Sequence, residues 1–183
     1  MRKPTGIAKT IVVKNKQNEN YLTGTKVNID IESLWDTNNF KMENVPYEFE
    51  LINGDGATST IEGNTVTLSG NGNTQVKITM AEAKYNLSMN VYDFPDDIVV
   101  TDENGKNISY LKLELGEEYK AEIRPTAFKG EKALVSDLSC FEFILDGDIG
   151  TISGNKFIAN TKKEAEGVEK RTQKAFCTYK KVD

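Results

Sequence analysis

"STIEGNTVTLS", residues 59–69, returns 91 positions later as "GTISGNKFIAN", residues 150–160. The two stretches match at Thr60 and Thr151, Ile61 and Ile152, Gly63 and Gly154, and Asn64 and Asn155, while Val66 faces Phe157 and Leu68 faces Ala159. Identical turn residues between interchangeable apolar ones are what a β-hairpin requires. Gly-Asn supplies backbone that tolerates positive φ, and the apolar residues at every second position face a core.

The flanks repeat as well. "GTKVNIDIE" from Gly24 aligns with "GEEYKAEIR" from Gly116 at an offset of 92, setting Val27, Ile29 and Ile31 against Tyr119, Ala121 and Ile123. "YEFEL" from Tyr47 aligns with "SCFEF" from Ser139, with Phe49 over Phe141 and Leu51 over Phe143. Three matches in one order at nearly one offset define an internal repeat of about 90 residues. The 183 residues therefore read as two small domains, 1–94 and 95–183, each able to bury a modest core. Their boundary lies near Phe94 in "VYDFPDDIVV", where Pro95 and three Asp separate two apolar strands.

Short alternating runs recur every eight to twelve residues: "TIVV", "KVNIDI", "YEFEL", "TVTL", "VKITM" and "LSMNV" in the first half, then "DIVV", "LKLEL", "YKAEI", "FEFIL", "KFIA" and "AFCTY" in the second. Gly, Asn, Asp and Ser fill the gaps. The best helical candidate, "TKKEAEGVEKRTQK", has a central Gly and no apolar stripe, so it reads as a charged loop. Evenly spaced short strands with turn clusters predict an all-β fold of two tandem β-sandwiches.

With these elements in place, both halves resemble bacterial immunoglobulin-like domains of group 2, the kind strung together in intimins, invasins and Gram-positive surface proteins. "GDIGTISGNKFIA" matches that family's hairpin well and "GDGATSTIEGNTVTL" less well. The resemblance covers most of the chain and implies a fold, not a ligand. Two departures stand out. The lone Trp35 comes earlier than the third-strand Trp of the family, on the parity of Val27, Ile29 and Ile31, which predicts a core position. In addition, the first half closes with "QVKITM" and "NLSMNVY", whereas the second offers one clear strand, "AFCTYKKV". Either the second sandwich lacks a closing strand and leaves an edge for a partner, or "VEKRT" serves as a weak sixth strand.

Composition narrows the classes further. Net charge is −5, with 9 basic and 11 acidic groups in residues 1–94 and 14 and 17 in residues 95–183. Neither half has the basic excess that phosphate binding needs, so nucleic acid is not expected as a partner. No 18-residue apolar run is present, so membrane insertion is not expected either. "MRKPTGIAKTIVV" lacks a signal-peptide core, consistent with an excerpt of an exported protein or with a product used without secretion. If both ends are tied down, the second option points to a larger assembly. Immunoglobulin-like domains are frequent on phage heads and tails, so a virion is the first setting expected and the cell surface the second. Cys140 and Cys177 both lie in the second half, off the immunoglobulin disulfide positions, and read as buried thiols.

The chain has no His, which removes the usual general base and every Ser-His-Asp or Cys-His arrangement. "GNGN" at residues 70–73 reads as a hairpin tip rather than a phosphate cradle. Asp146 and Asp148, in "LDGDIG", are ordinary turn chemistry rather than a glycosidase pair. The expectation is a non-enzyme without a cofactor. A structural calcium ion is the one metal considered, held by Asp93, Asp96, Asp97 and Asp102 with Asn104 beside them. Tyr47, Phe49, Phe141 and Phe143 read as core. A Trp35 placed in a loop with "DTNNF" would instead make a glycan-stacking tip. Expected partners are other structural proteins of an assembly, through strand pairing at the edge of the second domain, and weakly bound cell-surface glycans.

Overall fold

The computed structural model describes residues 6–108, 120–146, 150–159 and 174–180. The chain divides into two compact units, Met1–Phe94 and Pro95–Asp183. Among the described residues regular structure is β-strand, apart from one 3-10 turn at Leu138–Cys140. The class is all-β, with immunoglobulin-like sandwich architecture.

Unit 1 runs β1 (Ala8–Val13), β2 (Glu19–Leu22), β3 (Lys26–Asn28), β4 (Ile31–Asp36), β5 (Lys41–Met42), β6 (Glu48–Asn53), β7 (Thr60–Glu62), β8 (Thr65–Thr67), β9 (Gly72–Met80) and β10 (Ala83–Tyr92). One layer is the four-stranded sheet β2-β10-β9-β6. The facing layer is made of β1-β4-β5 and β3-β8-β7. The period-two pattern of β9 shows why it is a strand: Thr74, Val76, Ile78 and Met80 point inward while Gln75, Lys77 and Thr79 lie on the wetter face. Val76, Ile78, Leu87 and Met89 are wholly buried in a core shared with Leu34, Val66 and Leu68 of the facing layer.

Unit 2 runs β11 (Asp97–Thr101), β12 (Lys120–Glu122), β13 (Arg124–Lys129), β14 (Lys132–Leu134), β15 (Phe141–Asp146), β16 (Gly150–Ser153), β17 (Lys156–Ala159) and β18 (Lys174–Tyr179). They form β11-β13-β14, β12-β17-β16 and β15-β18. Ala127, Leu134, Phe141 and Phe157 are among its buried residues.

The repeated hairpin is present in both units with one register. Ile61 pairs with Val66 across β7–β8, and Ile152 with Phe157 across β16–β17. Gly63 and Gly154 have φ of +60° and +57°, while the following Asn in each turn stays at negative φ. That is the type II′ pattern, where glycine is required by backbone conformation. No neighbour lies within 4 Å of a Cβ built at either glycine, so space is not the constraint.

Four expectations need correction. Val27 opposes Val66 and Ala121 opposes Phe157, and Ile29 and Ile123 each donate their N–H to the turn Asn of the neighbouring hairpin. The second strands therefore correspond at an offset of 94, two more than the sequence alignment, and a slip of two leaves every side chain on its face. Trp35 is not core. Ile29 and Leu34 are both buried, so parity reverses between β3 and β4, which puts Leu34 and Asp36 inside and leaves Trp35 half-exposed. Tyr47 is 54% exposed, with its ring 4.9 Å from that of the half-buried Phe49. Finally, "GNGN" is no hairpin tip but the crossover from β8 to β9, lying against residues 54–57. A Cβ on Gly70 would collide with the Gly56 carbonyl oxygen, so backbone-to-backbone contact explains the glycines.

The expected strand "LKLEL", the charged stretch 161–173, "VEKRT", Asp148 and both chain ends fall on residues outside those described.

Candidate functional site

The acidic residues near the boundary sit in different local settings. Asp93 belongs to unit 1, and its Oδ1 is shielded from solvent without a hydrogen-bond partner. Asp96, Asp97 and Asp102 belong to unit 2. Asp96 accepts from Lys129 Nζ at 2.9 Å and from the Gly130 N–H at 2.8 Å. The Lys129 hydrogen bond, helped by that N–H, holds its carboxyl below the usual carboxylate range. Asp97 accepts from its neighbour Ile98 N–H. Asp102 accepts from the Asn104 and Lys106 N–H groups and so closes the turn that contains Gly105. Among the described residues no three His, Cys, Asp or Glu side chains converge as a metal-binding group.

Asp36, which sequence reasoning passed over, is the most heavily used carboxylate. It ends β4 pointing inward at 1% exposure and accepts from the Gly6, Asn38 and Phe40 N–H groups at 2.8–3.0 Å. These bonds, led by the one from Phe40, lower its carboxyl pKa against the opposing effect of burial. The signal was the string "DTNNF", an Asx-type turn after an alternating run. Asp36 thus clasps the chain just before β1 to the turn after β4.

The outer face of the four-stranded sheet carries a relay of neutral amides. Asn86 Nδ2 donates to Gln75 Oε1, Gln75 Nε2 to Asn73 Oδ1, Asn73 Nδ2 to Asn90 Oδ1, and Asn90 Nδ2 to Asn20 Oδ1. Gln17 clamps the adjoining strand by bonding the Asn86 carbonyl and the Ser88 N–H. The readable signal was polar residues at every second position, Asn73 and Gln75 in "GNTQV" and Asn86, Ser88 and Asn90 in "NLSMN". The result is a hydrogen-bonded network of neutral amides spanning three strands.

On the opposite layer, Trp35 Nε1 donates to Ser33 Oγ at 2.9 Å, fixing the indole on the outer face of β4. A groove of about 380 Å³ is lined by apolar Ile31, Leu34, Met42, Val45 and Met80 and by Tyr47, and Trp35 is not part of its lining. Its charged residues, Glu32, Glu43 and Lys41, are of both signs. The floor is the flank of the main core, and no cluster of polar groups converges in it.

Neither Cys140 nor Cys177 forms a disulfide. Residue 177 opposes Phe143 and residue 180 bonds back to Cys140, so the two cysteines are three rows apart, about 10 Å along the strands and too far for a bridge. Burial pushes the Cys177 thiol up to about 11, which makes it a poor nucleophile at neutral pH. Tyr21 is likewise raised, by burial first and the charge of Glu19 second. Among the described residues no helix is long and apolar enough to cross a membrane.

The fold and these surfaces define the class as tandem immunoglobulin-like sandwiches. No protein-family model matches the sequence, and no curated protein matches it. Solved structures resembling it include domains 5-6 of the S-layer protein SbsC, with 14% identity, a TM-score of 0.41 and coverage of 93% of this chain and 90% of that one. A longer structure, domains 1-6 of the surface layer protein SbsC, gives 16% identity, a TM-score of 0.43 and coverage of 99% and 26%. The Escherichia coli adhesin FdeC gives 12% identity, a TM-score of 0.32 and coverage of 82% and 53%. Likeness at this level carries no functional information about this chain.

Proposed function

We propose that this chain is a non-catalytic structural and display module, a pair of sandwiches of the bacterial immunoglobulin-like group 2 kind serving as spacer on an exterior surface. The observation that carries this reading is the employment of its polar groups. Asp36 and Asp102 close turns, Asp96 ties β11 to the turn after β13, and the amides of unit 1 lock three strands together. These groups build scaffold. Two exterior settings fit this reading: the cell surface, as an accessory or spacer region of a larger surface protein, and a virion. Fractionation of the native source with mass spectrometry separates them: recovery with the outer surface supports the first, recovery in purified phage particles supports the second, and glycan or ester cleavage at enzyme-like rates overturns the non-catalytic assignment.

Weak glycan binding is a second reading, favoured by the half-exposed, hydrogen-bonded Trp35. Glycan-array binding lost in Trp35→Ala supports it, and unchanged or absent binding removes it.

A further inference from the structure

Corresponding strands keep unequal company in the two units. In unit 1, β9 lies between β6 and β10, and its inward residues Val76 and Ile78 have no exposure. Phe49 opposes Ile78 and Phe141 opposes Tyr179. Because Phe49 and Phe141 correspond, β18 occupies the station of β9, with Tyr179 in place of Ile78 and Cys177 in place of Val76. Yet Cys177 and Tyr179 are half-exposed, and Thr178 and Lys180 are exposed. β18 uses one edge in six rows with β15, and among the described residues no strand pairs with the other edge. The first strands differ to match: β1 packs on β10 in unit 1, whereas β11 comes against β18 itself in unit 2.

Sequence chemistry separates this edge from the open edge of unit 1. The free side of β6 is guarded by Glu48 and Glu50, the latter paired with Lys77 at 3.5 Å. Charges on an edge strand discourage another chain from adding to it. Residues 175–179, "AFCTY", carry none, while Lys174, Lys180 and Lys181 bracket them.

We propose that the open edge of β18 accepts an extended segment of another protein in the same assembly, antiparallel as β10 is to β9, with apolar residues at alternate positions covering Cys177 and Tyr179. The arrangement of Leu87, Met89 and Val91 on β10 is the template for that apolar face. Lys180, exposed at the end of β18, selects an acidic residue at the facing polar position of the segment. Main-chain hydrogen bonds supply affinity and the alternation supplies register. This contact goes beyond the spacer role and does not depend on which surface the chain belongs to.

The test is hydrogen exchange on the full chain with and without a synthetic peptide of the β10 sequence that carries Lys84→Glu, AEYNLSMNVY, which sets an acidic residue opposite Lys180. Amides of 175–179 should exchange about tenfold slower with the peptide, those of β9 should not change, and a scrambled peptide should have no effect. Appending a short turn and the same sequence after Asp183 raises effective concentration and should lift the unfolding midpoint of unit 2 by roughly 10 °C. Protection by the peptide or stabilisation by the appended strand supports the proposal, and failure of both overturns it. Protection of 175–179 equal to that of β9 in the isolated monomer also overturns it, because the edge is then already covered. Concentration-dependent protection with a doubled mass overturns the foreign partner in favour of a second copy.

Discussion

Units 1 and 2 share a Gly-Asn hairpin in one register, but the strands at the β9 and β18 stations are buried to different depths. The lesson is that turn and core obey different controls. A turn is fixed by the φ requirement of one residue and repeats wherever that residue repeats. Burial depends on whether a neighbouring strand lies alongside, and ten-residue β10 supplies that neighbour for β9.

Truncation should expose this difference most strongly. Ile78→Ala, in a site with no exposure, should destabilise unit 1 by about 3 kcal/mol, and Tyr179→Ala should cost unit 2 only about 1 kcal/mol. Urea unfolding with probes in each unit checks this, and equal losses would break the comparison. Gly63→Ala and Gly154→Ala should each cost about 1 kcal/mol, the strain of left-handed backbone on a residue with a Cβ. A cost confined to one unit would show that the two turns are not equivalent.

Acid sharpens the comparison next. The folded-state pKa of Asp36 and of Asp96 is lowered, so each contributes stability that is present above the unfolded value near 4 and lost as pH falls through the folded value. Asp36→Asn should therefore flatten the pH dependence of unit 1 below about pH 4 and be insensitive to 1 M salt. Asp96→Asn should have a smaller effect that salt removes, because its Lys129 partner is exposed. Thiol labelling at pH 8 should be slow at both cysteines in the folded chain and fast at both in denaturant. The smallest effect is expected from calcium. With Asp96 engaged by Lys129 and Asp102 by its own turn, millimolar calcium should shift either thermal midpoint by less than about 1 °C, and a larger rise would show that these donors do gather around an ion.

Much of the fold was legible because its signals were local. The echoed hairpin, the aromatic third strands and the paired runs at β9 and β10 each announce themselves within ten residues. What stayed hidden depended on contacts between distant segments. Trp35 was misread because the parity reversal between Ile29 and Leu34 arises where β3 and β4 join different neighbours, and no residue between them marks the switch. β13 was missed because Pro125 argues against a strand, although the residue sits comfortably opposite Val100. The amide relay joins Gln17, Asn20, Asn73, Gln75, Asn86 and Asn90, brought together only by strand pairing. Asp36 looked like a loop residue because its value lies in three N–H groups that only the folded chain presents to it.

One feature of unit 1 bears on how it would respond to tension. β2, near its beginning, and β10, at its end, run parallel over four rows, from Met89 beside Glu19 to Tyr92 beside Leu22. Opposed pulls transmitted along these two strands would slide them lengthwise past each other, so the hydrogen bonds between them must stretch together rather than open one by one. A module wired in this way resists extension until all four rows give way at once, a useful property in a tether.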